Sequence, residues 1–270
     1  MKQELLRINQ LTVNYPLLTG LFKRISGYKK AVQNANFSLY RGDIIGLVGE
    51  SGSGKSTLAR AVTGLVPISE GQIFYENNPI QFTSSAKILE FRKSVQIVFQ
   101  DPLASLNPRK TIGEAIGEAL LYHNLVSSKE EMDHNVSEIL EKIGLEKLAM
   151  RRYPHQFSGG QQQRICIGRA LALKPKLLIL DEALASLDVS IQAQILALLL
   201  KLKEEFNLSF LFISHDLSIV RCFCQSILVM NKGEIVENSD VETLFNHPSH
   251  PYTKKLLAAS PISHPKFRKF

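Results

Sequence analysis

The apolar positions of this chain form short runs that alternate with longer segments of helical periodicity. Uninterrupted apolar runs occur in DIIGLVG (43–49), SVQIVF (94–99), LLILD (177–181) and LSFLFIS (208–214). Short runs without polar alternation are typical of buried parallel strands. Helical periodicity begins near Lys55 and recurs over 159–173 and 191–206. Strands that alternate with helices predict an α/β fold with a mainly parallel sheet.

The remaining pattern predicts an antiparallel part and a helical insert. Residues 5–15 and 36–40 are predicted strands, separated by the basic segment YPLLTGLFKRISGYKK, which we expect to be irregular. QIFYENNPI (72–80) predicts a strand and a turn, and 226–237 predicts a hairpin. After the Pro-punctuated loop DPLASLNPR, segments 112–124 and 129–147 are helical in pattern. We therefore predict one domain over 1–240, a helical subdomain inserted at about 102–157, and a C-terminal extension over 241–270.

Composition limits the function classes. The chain has 270 residues, of which 44% are hydrophobic, and no apolar run reaches the roughly 18–20 residues of a membrane-spanning helix. The N-terminus lacks the apolar core of a signal peptide, so we expect a soluble protein made in the cytoplasm. The net charge of +7 comes partly from basic residues near the two ends: Lys23, Arg24, Lys29, Lys30, Lys254, Lys255, Lys266, Arg268 and Lys269. Neither cluster is long, which favours solvated ends over a functional patch; as a functional patch, a membrane surface fits as well as nucleic acid.

The strongest chemical signal is GESGSGKST, between a predicted strand and a predicted helix. Its residues fit the P-loop spacing: Gly49, Glu50, Ser51, Gly52, Ser53, Gly54, Lys55, Ser56 and Thr57. Glycines allow backbone N–H groups to turn inward around phosphates, and the helix N-terminus adds its positive dipole. We expect Lys55 to contact the β- and γ-phosphates and the Ser56 hydroxyl to bind Mg²⁺.

Two acidic residues follow the buried strand LLILD. Asp181 and Glu182 emerge at the carboxyl end of that strand, where open α/β sheets bind ligands. The first acid can bind Mg²⁺, and the second can activate an attacking water. Because side chains alternate along an extended chain, we expect Glu182 to point away from Asp181. A solvated strand end is the alternative interpretation.

A second helix start has the composition of an anion site. Ser158, Gly159, Gly160 and Gln161 place a hydroxyl and two glycines at the beginning of the predicted helix 159–173. The alternative is an ordinary Ser N-cap followed by flexible glycines.

These motifs together resemble the ATP-binding cassette (ABC) family. GESGSGKST, the Gln after VF, FSGGQQQR, LLILDE, SLD and FISHD occur in that family's order. The resemblance implies a P-loop NTPase (RecA-like) core, ATP and Mg²⁺ as ligands, and two ATP molecules sandwiched in a head-to-tail dimer. It implies that Gln100 links the metal and the attacking water to the helical insert, that Glu182 is the general base and that His215 contacts the γ-phosphate. It further implies communication between sites through Asp188 and adenine stacking on Tyr15, for which an ordinary strand-end tyrosine is the alternative.

Other segments resemble the ATPase subunits of bacterial dipeptide and oligopeptide importers. They are DPLASLNPR, the insertion at 16–30, SHDLSIVR and HPSHPYTKKLLAASP (247–261). This resemblance implies an ATPase bound peripherally at the cytoplasmic face of the plasma membrane. Its expected partners are integral membrane permease subunits, a second ATPase subunit and, indirectly, an extracytoplasmic solute-binding protein. Nickel or antimicrobial-peptide uptake, and a soluble cassette acting on nucleic acid or ribosomes, remain the alternatives.

Overall fold

The computed structural model describes residues 2–20, 24–82 and 85–259, with the side chains of residues 18, 85 and 86 excluded. It divides into two compact units, one formed by Met1–Leu89 with Ser209–Phe270 and the other by Glu90–Leu208. The basic residues Lys23, Lys266, Arg268 and Lys269, and the end of the segment 247–261, lie outside the described residues.

The first unit contains an antiparallel sheet in the order β2-β1-β4-β5. Its strands are β1 (Glu4–Thr19), β2 (Arg24–Tyr40), β4 (Glu70–Tyr75) and β5 (Asn78–Pro79). The expectation of an irregular segment after Tyr15 is wrong, because β1 and β2 continue as a paired hairpin to Thr19↔Arg24. Backbone hydrogen bonds stabilise this part although its side chains are largely exposed, so it lacks the apolar alternation that would reveal a strand.

The same unit contains the strands β3 (Ile44–Val48), β8 (Ser209–Ile213), β9 (Ser226–Asn231) and β10 (Glu234–Asp240). β8 and β9 flank β3 and run parallel to it, whereas β10 is antiparallel to β9. Every residue of β3 and β8 is buried, which confirms the interpretation of their apolar runs. The helices of this unit are α1 (Lys55–Val62), α8 (Leu217–Phe223), α9 (Val241–Asn246) and α10 (Pro251–Ala259). α2 (Ser85–Ser94) begins in this unit and ends in the next.

The second unit pairs two parallel strands with a group of helices. β6 (Val95–Val98) runs parallel to β7 (Leu177–Asp181). The helices are α3 (Pro102–Ser105), α4 (Ile112–Tyr122), α5 (Lys129–Lys142), α6 (Gly159–Leu171) and α7 (Val189–Phe206), with 3₁₀ turns at Lys147–Arg151 and Pro154–Gln156. The predicted loop DPLASLNPR thus contains one helical turn, which the Asp101 carboxylate caps by accepting from Ala104 N. The helices predicted near 112 and 129 are confirmed, whereas the boundaries of the insert stay a prediction.

No helix within the described ranges combines the length and the apolarity that crossing a membrane requires.

Candidate functional site

Between β3 and α1 the P-loop adopts a conformation that requires its glycines. Gly52 and Gly54 have positive φ angles of 78° and 111°, which disfavour other residues. A Cβ atom on Gly49 would lie 2.1 Å from the Met230 carbonyl oxygen, and one on Gly54 would lie 2.3 Å from that of Ala31. The loop is therefore packed against backbone from β2 and β9, and only glycine fits at these two contacts.

Lys55 is folded over the beginning of the P-loop. Only 4% of its surface is exposed, and its Nζ donates hydrogen bonds to the carbonyl oxygens of Gly49 (2.9 Å) and Glu50 (3.0 Å). A buried lysine ammonium is costly unless polar groups compensate its charge. The protein thus holds a fixed cation at the loop, which is the arrangement that a phosphate chain needs.

The loop also fits an anion at its helix end. Gly54 is the N-cap of α1 and provides no side-chain acceptor for the first N–H groups of the helix. The hydroxyl of Ser53 is buried and has no hydrogen-bond partner among the described residues. A Cβ atom on Gly52 would meet nothing within 4 Å, so the loop is open beside this glycine. The N–H groups at a helix N-terminus point toward an anion bound there and can donate to phosphate oxygens.

The parallel pairing of β3 and β8 brings His215 to the same sheet edge as the P-loop. Leu47 lies opposite Ile213, and Ser214 N donates to the Leu47 carbonyl oxygen (3.3 Å). The P-loop follows β3 and His215 follows β8, so both start at the carboxyl ends of neighbouring strands. His215 is exposed there. Tyr15 lies elsewhere on β1, opposite Lys29 and 37% exposed, and its stacking role stays a prediction.

In the second unit, β6 and β7 bring Gln100 and the two acids to one edge. Val98 pairs with Leu180, and Gln100 and Asp181 follow within two residues of this pair. Asp181 is buried at 5% exposure, whereas Glu182 is half-buried with a left-handed φ of 51°. A carboxylate residue at positive φ is uncommon, and such conformations are concentrated at functional sites. The expectation that Glu182 continues an extended strand is wrong.

The segment at the start of α6 lies against the start of α7. Ser158 and Gln161 form a capping box, in which Gln161 N donates to the Ser158 hydroxyl (3.4 Å) and Ser158 N donates to the Gln161 amide oxygen (3.0 Å). A Cβ atom on Gly160 would lie 2.5 Å from Ile191 Cγ2, so this glycine allows the close approach of α7. Asp188 caps α7 by accepting from Ile191 N (3.0 Å). The structure therefore brings the SGGQ segment and Asp188 together.

The described residues do not form a metal site made of protein ligands alone. In the part of the chain that the structure describes, no group of three or more His, Cys, Asp or Glu side chains is placed to hold a metal. The neighbouring thiols Cys222 and Cys224 are exposed and buried respectively, and two thiols are too few for a closed metal site. Magnesium needs no such site, since it is usually held by one or two carboxylates, water and substrate phosphates. The oxygen donors of Ser56, Gln100 and Asp181 are of the type that this ion prefers.

Sequence comparison places these features in a known family. Residues 32–185 match the ABC transporter family. The chain belongs to this ABC family. It is 45% identical over 266 residues to the glutathione import ATP-binding protein GsiA of Pectobacterium atrosepticum, and 46% identical over 263 residues to GsiA of Escherichia coli K12. These alignments cover 98% and 97% of the chain but 42% of either relative, so the chain spans about two fifths of their length.

Solved ABC structures share the fold over most of this ABC chain. CbiO1 from Clostridium perfringens, part of the transporter complex cbiONQ, superposes with a TM-score of 0.78 and 29% identity, covering 91% of this chain and 92% of CbiO1. The dimeric ATP-binding cassette MJ0796 bound to ADP and Pi gives 0.76 and 28%, covering 87% of this chain and 98% of that chain. The predicted P-loop NTPase fold is confirmed.

Sequence reasoning missed the residues that support the P-loop from outside the motif. Ala31 and Met230 contribute backbone at van der Waals distance, and Gly233 N donates to the Ser53 carbonyl oxygen (2.8 Å). Gly233 was an available signal, because the hairpin predicted over 226–237 turns at this residue. None of these residues has a side chain with distinctive chemistry.

Proposed function

We propose that this chain binds and hydrolyses ATP and thereby powers a bacterial ABC importer. The observation that carries the proposal is the P-loop, with its three glycines in place, a buried lysine ammonium over the loop and a glycine at the N-cap of α1. These are the groups that neutralise and orient a triphosphate.

The hydrolytic chemistry is assigned to residues at the strand ends. Ser56, Gln100 and Asp181 would hold Mg²⁺, which when bound neutralises phosphate charge. Glu182 would accept the proton of the attacking water, since a half-buried carboxylate can act as a general base. His215, exposed at the edge of β8, would donate a hydrogen bond to the γ-phosphate.

We assign the SGGQ segment, residues 158–161, to contact with the nucleotide that a second ATPase subunit binds. Gly159 and Gln161 are exposed at the N-terminus of α6, where they can meet an anion from another molecule. Ser158 would take part in this contact. Asp188, which caps α7, would transmit the effect of the contact to the start of that helix. The dimeric state of MJ0796 supports an assembly of this kind.

The proposed transport substrate is a small peptide. The relatives with 45–46% identity are named for glutathione import, and glutathione is a short peptide. On this proposal the chain works at the cytoplasmic face of the membrane with integral permease subunits, and a solute-binding protein delivers the peptide to them. Copurification of membrane proteins, followed by uptake of labelled glutathione and dipeptides, tests this part. Copurification with ribosomes or DNA instead would contradict it.

The nucleotide assignment is tested with Lys55→Ala, with Lys203→Ala as the control. Both residues are lysines with little exposed side chain, but Lys203 lies on α7 and pairs with Glu204. Loss of charge-assisted hydrogen bonds, at about 1.5–3 kcal/mol each, should weaken ATP binding by about 10- to 100-fold. Titration with a fluorescent ATP analogue and a phosphate-release assay measure the two effects. ATP affinity and turnover equal to wild type in Lys55→Ala would remove the phosphate assignment.

A further inference from the structure

A hydrogen bond joins the C-terminal helix α10 to the P-loop. The Tyr252 hydroxyl accepts from the backbone N–H of Glu50 at 3.0 Å. Glu50 is the second residue of the P-loop, and the two residues are 202 positions apart in sequence. Nothing in the P-loop spacing requires this contact.

The segment that carries Tyr252 is held in place by a buried carboxylate. Glu237 of β10 is only 8% exposed and accepts hydrogen bonds from the backbone N–H groups of Ser249 (2.8 Å) and His250 (3.0 Å). Burial alone raises the pKa of Glu237, but the nearby Thr253 hydroxyl and the hydrogen bonds from Ser249 and His250 outweigh it and lower the pKa below its ordinary value. The segment is therefore anchored to an ionised carboxylate.

The anchored turn also fixes the start of α10. His250 Nδ1 accepts from Tyr252 N at 3.1 Å, and Thr253 is fully buried. His250 thus has a structural role in this turn. Because the backbone of Tyr252 and the next side chain are both held, the phenol ring has a defined direction.

Glu50 is the residue on which Tyr252 and Lys55 converge. The carbonyl oxygen of Glu50 accepts from Lys55 Nζ (3.0 Å) and from Ser53 N (3.1 Å), while its N–H is bound by Tyr252. A displacement of the Glu50 backbone therefore moves the carbonyl oxygen that fixes the Lys55 ammonium. The Tyr252 hydroxyl therefore acts on the Lys55 ammonium indirectly, through the backbone of Glu50.

We infer that Tyr252 is a positioning residue for the P-loop and that it couples α10 to nucleotide binding. This inference rests on the proposed function. A phosphate that approaches Lys55 competes with the Glu50 carbonyl for the same ammonium, and the Tyr252 hydroxyl keeps Glu50 in place during this exchange. Coupling is reciprocal, so ATP binding in turn changes the stability of the α10 backbone.

The test compares Tyr252→Phe with Tyr122→Phe in the full chain. Both changes remove one phenolic oxygen, and Tyr122 is 69% exposed at the end of α4. One net hydrogen bond of about 0.5–1.5 kcal/mol corresponds to an increase of about 2- to 12-fold in the Kd and KM for ATP. We expect this increase in Tyr252→Phe with kcat within about twofold of wild type, because no reacting group is changed.

Hydrogen exchange of residues 251–259 provides a second readout. In wild type we expect ATP to change the exchange rates of this segment, and in Tyr252→Phe we expect that change to be lost. A purely structural role would alter exchange with or without ATP and would leave the KM unchanged. Equal Kd, KM and ATP-dependent exchange in Tyr252→Phe and Tyr122→Phe would overturn the inference.

A parallel titration of Lys55→Ala separates the two proposals. In one outcome, Lys55→Ala has a much lower ATP affinity than wild type, whereas Tyr252→Phe has the same ATP affinity as wild type. In that case only the positioning role fails. If Lys55→Ala binds as well as wild type, the proposed function fails and the positioning role fails with it.

Discussion

At the scale of single residues, Glu182 has the conformation with the clearest chemical consequence. Its φ of 51° directs the chain out of β7 immediately after the buried Asp181. Glu182→Gln keeps the size of the side chain but cannot accept the proton of water. General-base contributions are about 10²- to 10⁴-fold, so hydrolysis should fall by that factor while ATP affinity is retained or increased. Phosphate release and nucleotide titration measure the two quantities.

The matched control for this prediction is Glu204→Gln. Glu204 is a largely exposed residue of α7, and its side chain pairs with Lys203 at 3.3 Å on the surface. This variant should hydrolyse ATP as wild type does. Turnover in Glu182→Gln within a few-fold of the control would show that another group accepts the proton.

The roles of residues that belong to a local motif could be predicted from the sequence. The roles of residues that depend on contacts with distant parts of the chain could not. The glycines of the P-loop follow from its spacing, since only glycine tolerates the contacts at Gly49 and Gly54. The direction of Glu182 could not be derived, because alternation holds only for an extended chain and this residue is left-handed. The contact of Tyr252 spans 202 positions and leaves no local pattern.

At the scale of elements, the contact between α6 and α7 depends on Gly160. A Cβ atom there would lie 2.5 Å from Ile191 Cγ2, whereas one on the neighbouring Gly159 would meet Leu187 Cδ2 at an ordinary 3.6 Å. Overpacking typically costs about 1–3 kcal/mol. Gly160→Ala should therefore lower the free energy of unfolding by about that amount, and Gly159→Ala should change it by less than about 1 kcal/mol. Urea denaturation measures both, and equal midpoints would contradict the packing argument.

Elements buried on both faces were predictable, and exposed or short elements were not. The apolar runs of β3, β7 and β8 revealed strands because all their residues are buried. The outer part of the β1–β2 hairpin has exposed residues such as Ile25 and Tyr28, so its side chains carry no alternation. The single turn α3 has only four residues and lies in a predicted loop, because so short a segment shows little periodicity.

At the scale of the whole molecule, the proposed assembly predicts that Ser158 controls ATP-dependent dimerisation. Ser158→Arg places a bulky cation at the exposed N-terminus of α6, where a second subunit's nucleotide would bind. The variant should bind ATP but remain monomeric and hydrolyse it slowly. Size-exclusion chromatography with light scattering, with and without ATP, measures the assembly.

Ser128→Arg is the control for the loss of a helix cap. Ser128 caps α5 by accepting from Glu131 N at 3.1 Å, so both substitutions remove a cap worth about 0.5–2 kcal/mol. Ser128→Arg should dimerise with ATP as wild type does. Dimerisation of Ser158→Arg to the same extent would place the intersubunit contact elsewhere.

The supports of the P-loop have a consequence for biosynthesis on the ribosome. Gly49–Thr57 are made early, but Met230, Gly233 and Tyr252, which contact the loop, are made about 180–200 residues later. A nascent chain that has emerged only as far as β8 holds the whole motif without these three contacts. At synthesis rates of about 5–20 residues per second, the motif waits roughly 10–40 seconds for them. ATP can therefore meet a P-loop that still lacks these contacts, and we expect the nucleotide to stabilise the loop fully only after α10 has left the exit tunnel.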